Sequence, residues 1–208
     1  MYVPDAFQVD DPAALRQLMA SYGFATLVSN SADGLVASHV PVTYDPARGA
    51  NGMLLAHFAR ANPHGPALDG AAVLAIFSVP HGYVSPAWYA THPSVPTWNY
   101  AVVHVHGRAR LVTDEARLRE IVSRLVYQYE SGRAAPWTMS GLSDPYLRGM
   151  LNAIVGIEID VECIVGKHKL SQNRNAEDRS RVIAALGASE EAQDRQLAAY
   201  MARHAPPI

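Results

Sequence analysis

One short segment combines a histidine, an arginine and a helix-start signal. The sequence HFARANP runs from His57 to Pro63, with Arg60 at the end of an apolar stretch and Asn62 just before the proline. An Asn-Pro pair is typical of a first helical turn, whose unpaired backbone N–H groups favour an anion. A guanidinium beside such a turn binds phosphate monoesters well. The segment predicts a phosphate site; the alternative is a helix cap with a solvated arginine.

A second polar cluster lies near the C-terminus. The segment GKHKLSQNR, residues 166–174, holds four basic or potentially basic side chains with a serine, a glutamine and an asparagine. All of these side chains can donate hydrogen bonds to phosphate or carbonyl oxygens. The composition fits an anion-binding segment and an exposed basic turn equally well.

Aromatic residues concentrate around residues 80–100. Trp88, Tyr89, Trp98 and Tyr100 occur among hydroxyl and amide side chains, and Pro80 to Pro96 shows no regular periodicity. Long connections inside compact domains are usually functional, and disordered segments rarely hold so many aromatic residues. We expect an ordered loop whose rings form a wall for a flat heteroaromatic ligand; burial in the core is the alternative.

Other chemistry lacks support in the sequence. His104 and His106 share one face of a predicted strand and could bind a metal ion, but no third ligand is identifiable, so we predict hydrogen-bonded histidines and no metal site. Cys163 is the one cysteine, which excludes an intrachain disulfide. The motifs of P-loop, Rossmann, serine esterase and zincin proteins are missing.

Composition limits the class of protein. The 208 residues are 49% hydrophobic and 17% charged, which is typical of a soluble globular chain. Lys and Arg number 17 against 19 Asp and Glu, a net charge of −2 that disfavours DNA binding driven by phosphate attraction alone. No export signal or membrane span is visible, and we expect a cytoplasmic protein without a membrane partner.

The elements that must position these groups are mainly strands. An amphipathic helix is predicted to start at Pro12, Thr113 is expected to cap another, and two polar helices are expected in 176–204. In the last strand, Glu158 is expected to face solvent. This pattern favours an antiparallel α+β, mainly β barrel over a doubly wound sheet. Strands are predicted at 24–29, 35–44, 53–59, 72–79, 98–112 and 154–165.

Five segments, in order, resemble the PaiB-like family of FMN-binding negative transcriptional regulators. They extend over nearly the whole chain. The chain departs from the family pattern at His64-Gly65, where a glutamine and a bulky residue are expected, and at Gly82, where alanine is more usual. The segments are MYVP (1–4), HFARANP (57–63), PHGYVSPAWY (80–89), VPTWNY (95–100) and KLSQNR (169–174).

The resemblance implies a fold and an assembly. The fold is an antiparallel split β-barrel with peripheral helices, an FMN-binding split barrel related to pyridoxamine 5′-phosphate oxidase. Residues 1–175 would form this domain, and residues 176–208 a C-terminal helical extension packed on the barrel or the dimer. The protein would be a homodimer with FMN at the subunit interface.

The resemblance also implies which residues hold FMN, although no catalytic residue is assigned. The phosphate is expected at Ser38, His39, His57, Arg60 and Asn62. The isoalloxazine is expected at Ser85, Trp88, Thr97, Trp98 and Asn99. The late segment would close the site with Lys169, Ser171 and Gln172.

Three functions remain open at this stage. The leading hypothesis is a flavin-dependent sensor or regulator, although no helix-turn-helix with a basic recognition helix is visible and direct DNA binding is not favoured. The second is an FMN-dependent oxidoreductase that uses NAD(P)H, with His81, Tyr83 and Tyr89 as the nearest proton donors. The third is a haem-binding split barrel. Its candidate axial ligands are His104, His106 and His168.

Overall fold

The computed structural model describes residues 1–32 and 34–204. The chain forms two compact units. Unit 1 consists of Met1–Leu15, Ser78–Val103 and Val165–Ile208, and unit 2 of Arg16–Phe77 and His104–Ile164. Every helix within residues 1–32 and 34–204 is too short or too polar to span a lipid bilayer.

Strands dominate the described part of the chain. The strands are β1 Gln8–Val9, β2 Phe24–Ser31, β3 Gly34–Pro41, β4 Thr43–Asp45, β5 Met53–Ala59, β6 Ala72–Ser78, β7 Gly82–Val84, β8 Thr97–Val112 and β9 Ile154–Lys169. The helices are α1 Pro12–Ser21, α2 His64–Ala67, α3 Glu115–Glu130, α4 Asp144–Asn152, α5 Ala176–Gly187 and α6 Ala192–His204. The strands join in the order β3-β2-β6-β8-β9-β5-β4, with β1 beside β9 and β7 beside β8.

Unit 2 holds an antiparallel sheet. The predicted hairpin is confirmed: β2 pairs with β3 from Phe24↔Pro41 to Ser31↔Gly34, although Asp33 of its turn lies outside the described residues. Strand β2 also pairs with β6, and β5 pairs with both β4 and β9. Alternate residues of β2 are buried, as expected for a strand with one face on a core.

Helices α3 and α4 pack against the sheet in unit 2. Their buried side chains form a cluster with Met53, Leu55 and Val112 of the sheet. A Cβ atom at Gly156 would lie 2.9 Å from Leu118 and Ile121 side-chain atoms, so glycine lets α3 approach β9 closely. The helix members of this cluster are Leu118, Ile121, Leu147 and Leu151.

Glu158 corrects one prediction. It was expected to face solvent, but it is 3% exposed and accepts hydrogen bonds from three guanidiniums. The donor–acceptor distances are 3.0 Å from Arg48, 2.5 Å from Arg110 and 2.5 Å from Arg117. A carboxylate can be buried at a polar position of the strand because these partners replace its water.

Other boundaries also differ from the prediction. The strand expected at 35–44 divides into β3 and β4, and the cap of α3 is Asp114, which accepts from Arg117 N at 2.9 Å, rather than Thr113. Strand β9 continues to Lys169, so the first part of the basic segment is strand and not turn. Within the two described ranges the strands number nine, where five or six were predicted, because short strands show no periodicity.

Unit 1 contains β1, β7, α5 and α6. Pro80 to Pro96 is not without regular structure: β7 pairs with the start of β8, and Pro86–Trp88 forms a 3₁₀ turn. A Cβ atom at Gly82 would lie 2.9 Å from Leu197 Cδ2 and 3.0 Å from Asp194 Oδ1, so a larger residue would crowd α6. The two C-terminal helices are present as predicted; the domain boundary after residue 175 stays a prediction.

Candidate functional site

An exposed cluster of aromatic rings lies in unit 1. Tyr83 of β7 is the cross-strand partner of Trp98 on β8, and their ring centroids are 6.1 Å apart at 76°. The His81 ring centroid lies 6.0 Å from that of Trp98. Trp98 is 51% exposed, an uncommon exposure for so large an apolar side chain. Strand pairing therefore places Tyr83 beside Trp98, and His81, the residue before β7, adds a third exposed ring to the cluster.

A cavity of about 340 Å³ opens beside this cluster. Trp98, His81 and Tyr100 line it with apolar groups of Val79 and Val102. Flat apolar walls with a few polar atoms are what a heteroaromatic ring requires. The surface therefore suits a flat aromatic ligand, and the aromatic stretch is an ordered segment, as predicted.

Lys169 brings a cation to the edge of the cluster. Its Nζ donates to Trp98 O at 2.9 Å and to Thr97 Oγ1. Burial lowers the pKa of Lys169, against a smaller opposing effect of Tyr100. The structure thus joins three predicted site residues, Thr97, Trp98 and Lys169, within unit 1.

Asn99 and Ser171 lie elsewhere. Asn99 is buried, on the face of β8 opposite Trp98, and its Nδ2 donates to Ser171 Oγ at 2.9 Å. Asn99 Nδ2 also lies 3.4 Å from Met201 Sδ on α6. The two predicted site residues are brought together, but in the interior of unit 1 and not beside the exposed ring.

Ser85, Trp88 and Gln172 have local roles. Ser85 Oγ accepts from Ala87 N at 3.2 Å and so caps the 3₁₀ turn that ends at Trp88, which is partly buried. Gln172 closes its own turn: Nε2 donates to His168 O at 2.5 Å, and Oε1 accepts from the backbone N of Leu170 at 2.6 Å. These contacts order the segments on which the three residues lie.

The predicted phosphate residues lie in unit 2. Arg60 donates from Nε to Asn152 O at 2.7 Å and from Nη2 to Ile154 O at 2.9 Å. Its guanidinium therefore lies against the end of α4 rather than beside a helix start. Helix α2 has four residues, and Asn62 Oδ1 accepts from His64 N at 3.0 Å. This bond closes a local turn just before α2, whose N-cap residue is Pro63, so Asn62 is not the helix cap that the alternative interpretation predicts.

Three further predicted phosphate residues lie on β3 and β5. His39 is exposed and stacks on Phe24 with centroids 6.3 Å apart. His57 is partly buried, burial lowers its pKa, and its Nδ1 has no hydrogen-bond partner within residues 1–32 and 34–204. Ser38 Oγ lies 2.8 Å from Nδ1 of His64.

His64, which departs from the family pattern, is a buried polar residue that the sequence does not assign to any site. It is 2% exposed, and its ring lies between two serine hydroxyls, with Nε2 2.9 Å from Ser29 Oγ. Burial lowers its pKa. The signal in the sequence was Ser29, a polar residue at an inward position of β2 that needs a buried partner.

The remaining histidines lack the features of a metal site. The His104 and His106 ring centroids are 6.5 Å apart, and no group of three or more His, Cys, Asp or Glu in the described ranges could hold a metal ion. His168 is 7% exposed, and its Nε2 is 3.1 Å from the Tyr200 hydroxyl. This buried contact gives His168 a partner other than a haem iron.

Solved structures establish the class of fold. The FAD and heme binding protein of Mycobacterium smegmatis superposes with a TM-score of 0.62 at 19% identity, covering 86% of this chain and 79% of that one. The flavocytochrome Anf3 of Azotobacter vinelandii gives a TM-score of 0.59 at 16% identity, covering 84% and 75%. The fold is an antiparallel split β-barrel with peripheral helices, as predicted.

Sequence comparison establishes the family. Residues 1–163 match the family described as "Putative FMN-binding domain". The protease synthase and sporulation protein PAI 2 of Bacillus subtilis (strain 168) is 33% identical over 202 residues, 97% of this chain and 96% of that protein. The chain belongs to the PaiB-like family of FMN-binding split-barrel proteins, which confirms the predicted family.

Proposed function

We propose that this chain binds FMN as a homodimer and acts as a flavin-dependent regulator. The observation that carries the proposal is the exposed ring cluster of Trp98, Tyr83 and His81 beside a cavity of about 340 Å³. Exposed apolar rings around a cavity are typical of a ligand site. In a chain of an FMN-binding family, the isoalloxazine is the ligand that these rings suit best.

The chain's own residues would bind and orient the flavin. In unit 1, Trp98 offers a stacking face, and Lys169 with Thr97 offers donors at its edge. Ser38, His39 and His57 of unit 2 stay predictions of the family resemblance, whereas Arg60 and Asn62 already bind backbone groups. Bound flavin supplies the redox chemistry.

Regulation through a bound ligand or redox state suits the charge of this protein better than attraction to DNA phosphates. The net charge is −2. Two arginines near the start of α5 already have partners: Arg174 lies 4.2 Å from the Tyr89 ring centroid, and Arg181 pairs with Glu177 at 2.7 Å.

Titration with FMN tests the proposal. Purified protein should be yellow or take up added FMN, and Trp98→Ala should weaken FMN binding by about 1–2 kcal/mol because a stacked ring is lost. Trp137→Ala is the matched control, since Trp137 is 49% exposed in unit 2. Wild-type protein that stays colourless after addition of FMN would contradict the proposal, as would equal affinities of the two variants.

A flavin-dependent oxidoreductase is the second candidate, and one observation favours it. His81 and Tyr83, two of the predicted proton donors, flank Trp98, whereas Tyr89 is buried under Arg174. Proton-bearing groups beside a flavin can serve as acids or bases. Anaerobic mixing of FMN-loaded protein with NADH or NADPH separates the two candidates: rapid bleaching of flavin absorbance supports the enzyme, and an unchanged spectrum supports the regulator.

A further inference from the structure

His64 is a buried histidine whose two ring nitrogens both meet serine hydroxyls. Its Nε2 lies 2.9 Å from Ser29 Oγ on β2, and its Nδ1 lies 2.8 Å from Ser38 Oγ on β3. The ring also packs edge-on against Phe58, with centroids 5.7 Å apart. These contacts hold the imidazole in one orientation with a hydroxyl at each nitrogen.

The number of hydrogen-bond donors decides which ring nitrogen of His64 carries the proton. A neutral imidazole has one N–H and one bare nitrogen, so one serine donates to the ring and the other accepts from it. Ser29 is buried, and among the described residues His64 is the hydrogen-bond partner of its hydroxyl. If Ser29 accepted from Nε2, its own proton would be buried without an acceptor, which is costly. Ser29 therefore donates to Nε2, and Nδ1–H donates to Ser38.

Because Ser38 accepts a hydrogen bond from Nδ1–H, its own O–H remains available as a donor. Ser38 is only partly buried, so its proton can reach a ligand or water. We propose that His64 is a positioning residue that fixes the Ser38 hydroxyl as a hydrogen-bond donor to an oxyanion, either a phosphate monoester or free phosphate. The inference deepens the proposed function and rests on it where the oxyanion is the phosphate of FMN.

The same counting excludes two other roles. A protonated imidazole would donate from both nitrogens and leave the Ser29 proton without an acceptor, and burial lowers the pKa of His64, so the ring stays neutral. Ser38 is not an activated nucleophile, because in this arrangement His64 gives it a hydrogen bond and does not take its proton. The group is built for binding.

Nitrogen NMR of the wild-type protein shows directly which ring nitrogen of His64 carries the proton. We expect His64 to carry its proton on Nδ1 and to have a bare Nε2 at neutral pH. A bare Nδ1 would overturn the proposal, because Ser38 would then donate to the ring. This readout needs no substitution and does not depend on flavin binding.

Calorimetry with three probes tests the donor role of Ser38. We expect Ser38→Ala to weaken FMN about tenfold and to leave riboflavin, which lacks the phosphate, unchanged. Loss of binding of inorganic phosphate alone would instead assign Ser38 to a free phosphate, which also supports the proposal. Unchanged affinity for both phosphate probes would overturn it. Ser140→Ala, at an exposed serine of unit 2, is the control.

Two substitutions of His64 separate positioning from simple packing. His64→Asn keeps an amide near the place of Nδ1 and can still donate to Ser38, whereas His64→Gln places its amide nearer to Nε2 and Ser29. We expect His64→Asn to retain FMN affinity within about threefold and His64→Gln to lose about tenfold. Equal losses would show a packing role and overturn the positioning role.

Failure of this inference and failure of the proposed function give different results. If the wild type binds neither FMN nor riboflavin, the proposed function fails, while the His64 proton position and the inorganic phosphate titration still decide the role of Ser38. If the wild type binds FMN and Ser38→Ala binds it equally well, the proposed function stands and the donor role of Ser38 is wrong.

Discussion

At the scale of single residues, burial decides how His168 responds to acid. Its ring contacts the Tyr200 hydroxyl and lies 5.4 Å, centroid to centroid, from His204. Burial, and to a smaller extent the charge of His204, lowers its pKa to about 4. In the unfolded chain His168 takes up a proton near pH 6.5, whereas in the folded protein it does so only near pH 4. The contribution of the neutral, buried ring to the free energy of unfolding is therefore complete above pH 6.5 and is lost as the pH falls towards 4.

His168 should therefore make the free energy of unfolding fall as the solution is acidified. Between pH 6.5 and 4, we expect protonation at His168 to lower the free energy of unfolding by about 3 kcal/mol. Urea unfolding across this range measures the loss, and His168→Gln should flatten the curve. His92→Gln, at an exposed loop position, is the control. A His168→Gln curve parallel to that of the wild type would contradict the prediction.

At the scale of elements, the start of α5 holds the aromatic segment in place. Asp178 Oδ1 accepts from the backbone N–H groups of Ala90 at 2.7 Å and Thr91 at 3.1 Å. Burial alone would raise the pKa of Asp178, but the bonds from Thr91 and Ala90 outweigh it and lower the pKa. The stabilisation from this contact is fully present above the ordinary pKa of aspartate and is lost as the pH falls through the lowered pKa of the folded state.

Loss of that carboxylate should loosen the loop. In Asp178→Asn, one uncharged amide oxygen replaces the carboxylate, so we expect the amide hydrogens of Ala90 and Thr91 to exchange about tenfold faster. Hydrogen exchange read by NMR measures the change. Glu177→Gln, the exposed neighbouring acid, should leave both amides unaffected. Unaltered exchange in Asp178→Asn would show that other contacts hold the segment.

Elements also differ in how well local pattern predicts them. Strand β5 is predicted at its observed bounds, since Met53–Ala59 is apolar apart from His57 and lies between turn formers. Strand β7 was not predicted, because three residues carry no periodicity and Gly82–Val84 becomes a strand only by pairing with β8. Local patterns thus identify long strands, and pairing decides short ones.

At the scale of the whole molecule, the exposed aromatic rings of unit 1 lead us to expect that two copies of the chain associate as a homodimer. Trp98 and Tyr83 are both exposed in unit 1. The chain mass is 22.5 kDa, so we expect light scattering to give about 45 kDa, twice that value, for FMN-loaded protein. Trp98 fluorescence should be less accessible to iodide in that species than in a dilute monomer. A single-chain mass at every concentration would contradict the homodimer.

The sequence by itself determined the long strands, the helices, the family and the aromatic segment that carries the proposed site. These features depend on local periodicity and on short motifs that neighbouring residues complete. Only the tertiary structure decided which polar groups are buried together: Ser29 with His64, Asn99 with Ser171, and Glu158 with its arginines. Such partners lie 35 to 110 residues apart, and strand pairing and packing bring them together, which no local pattern encodes.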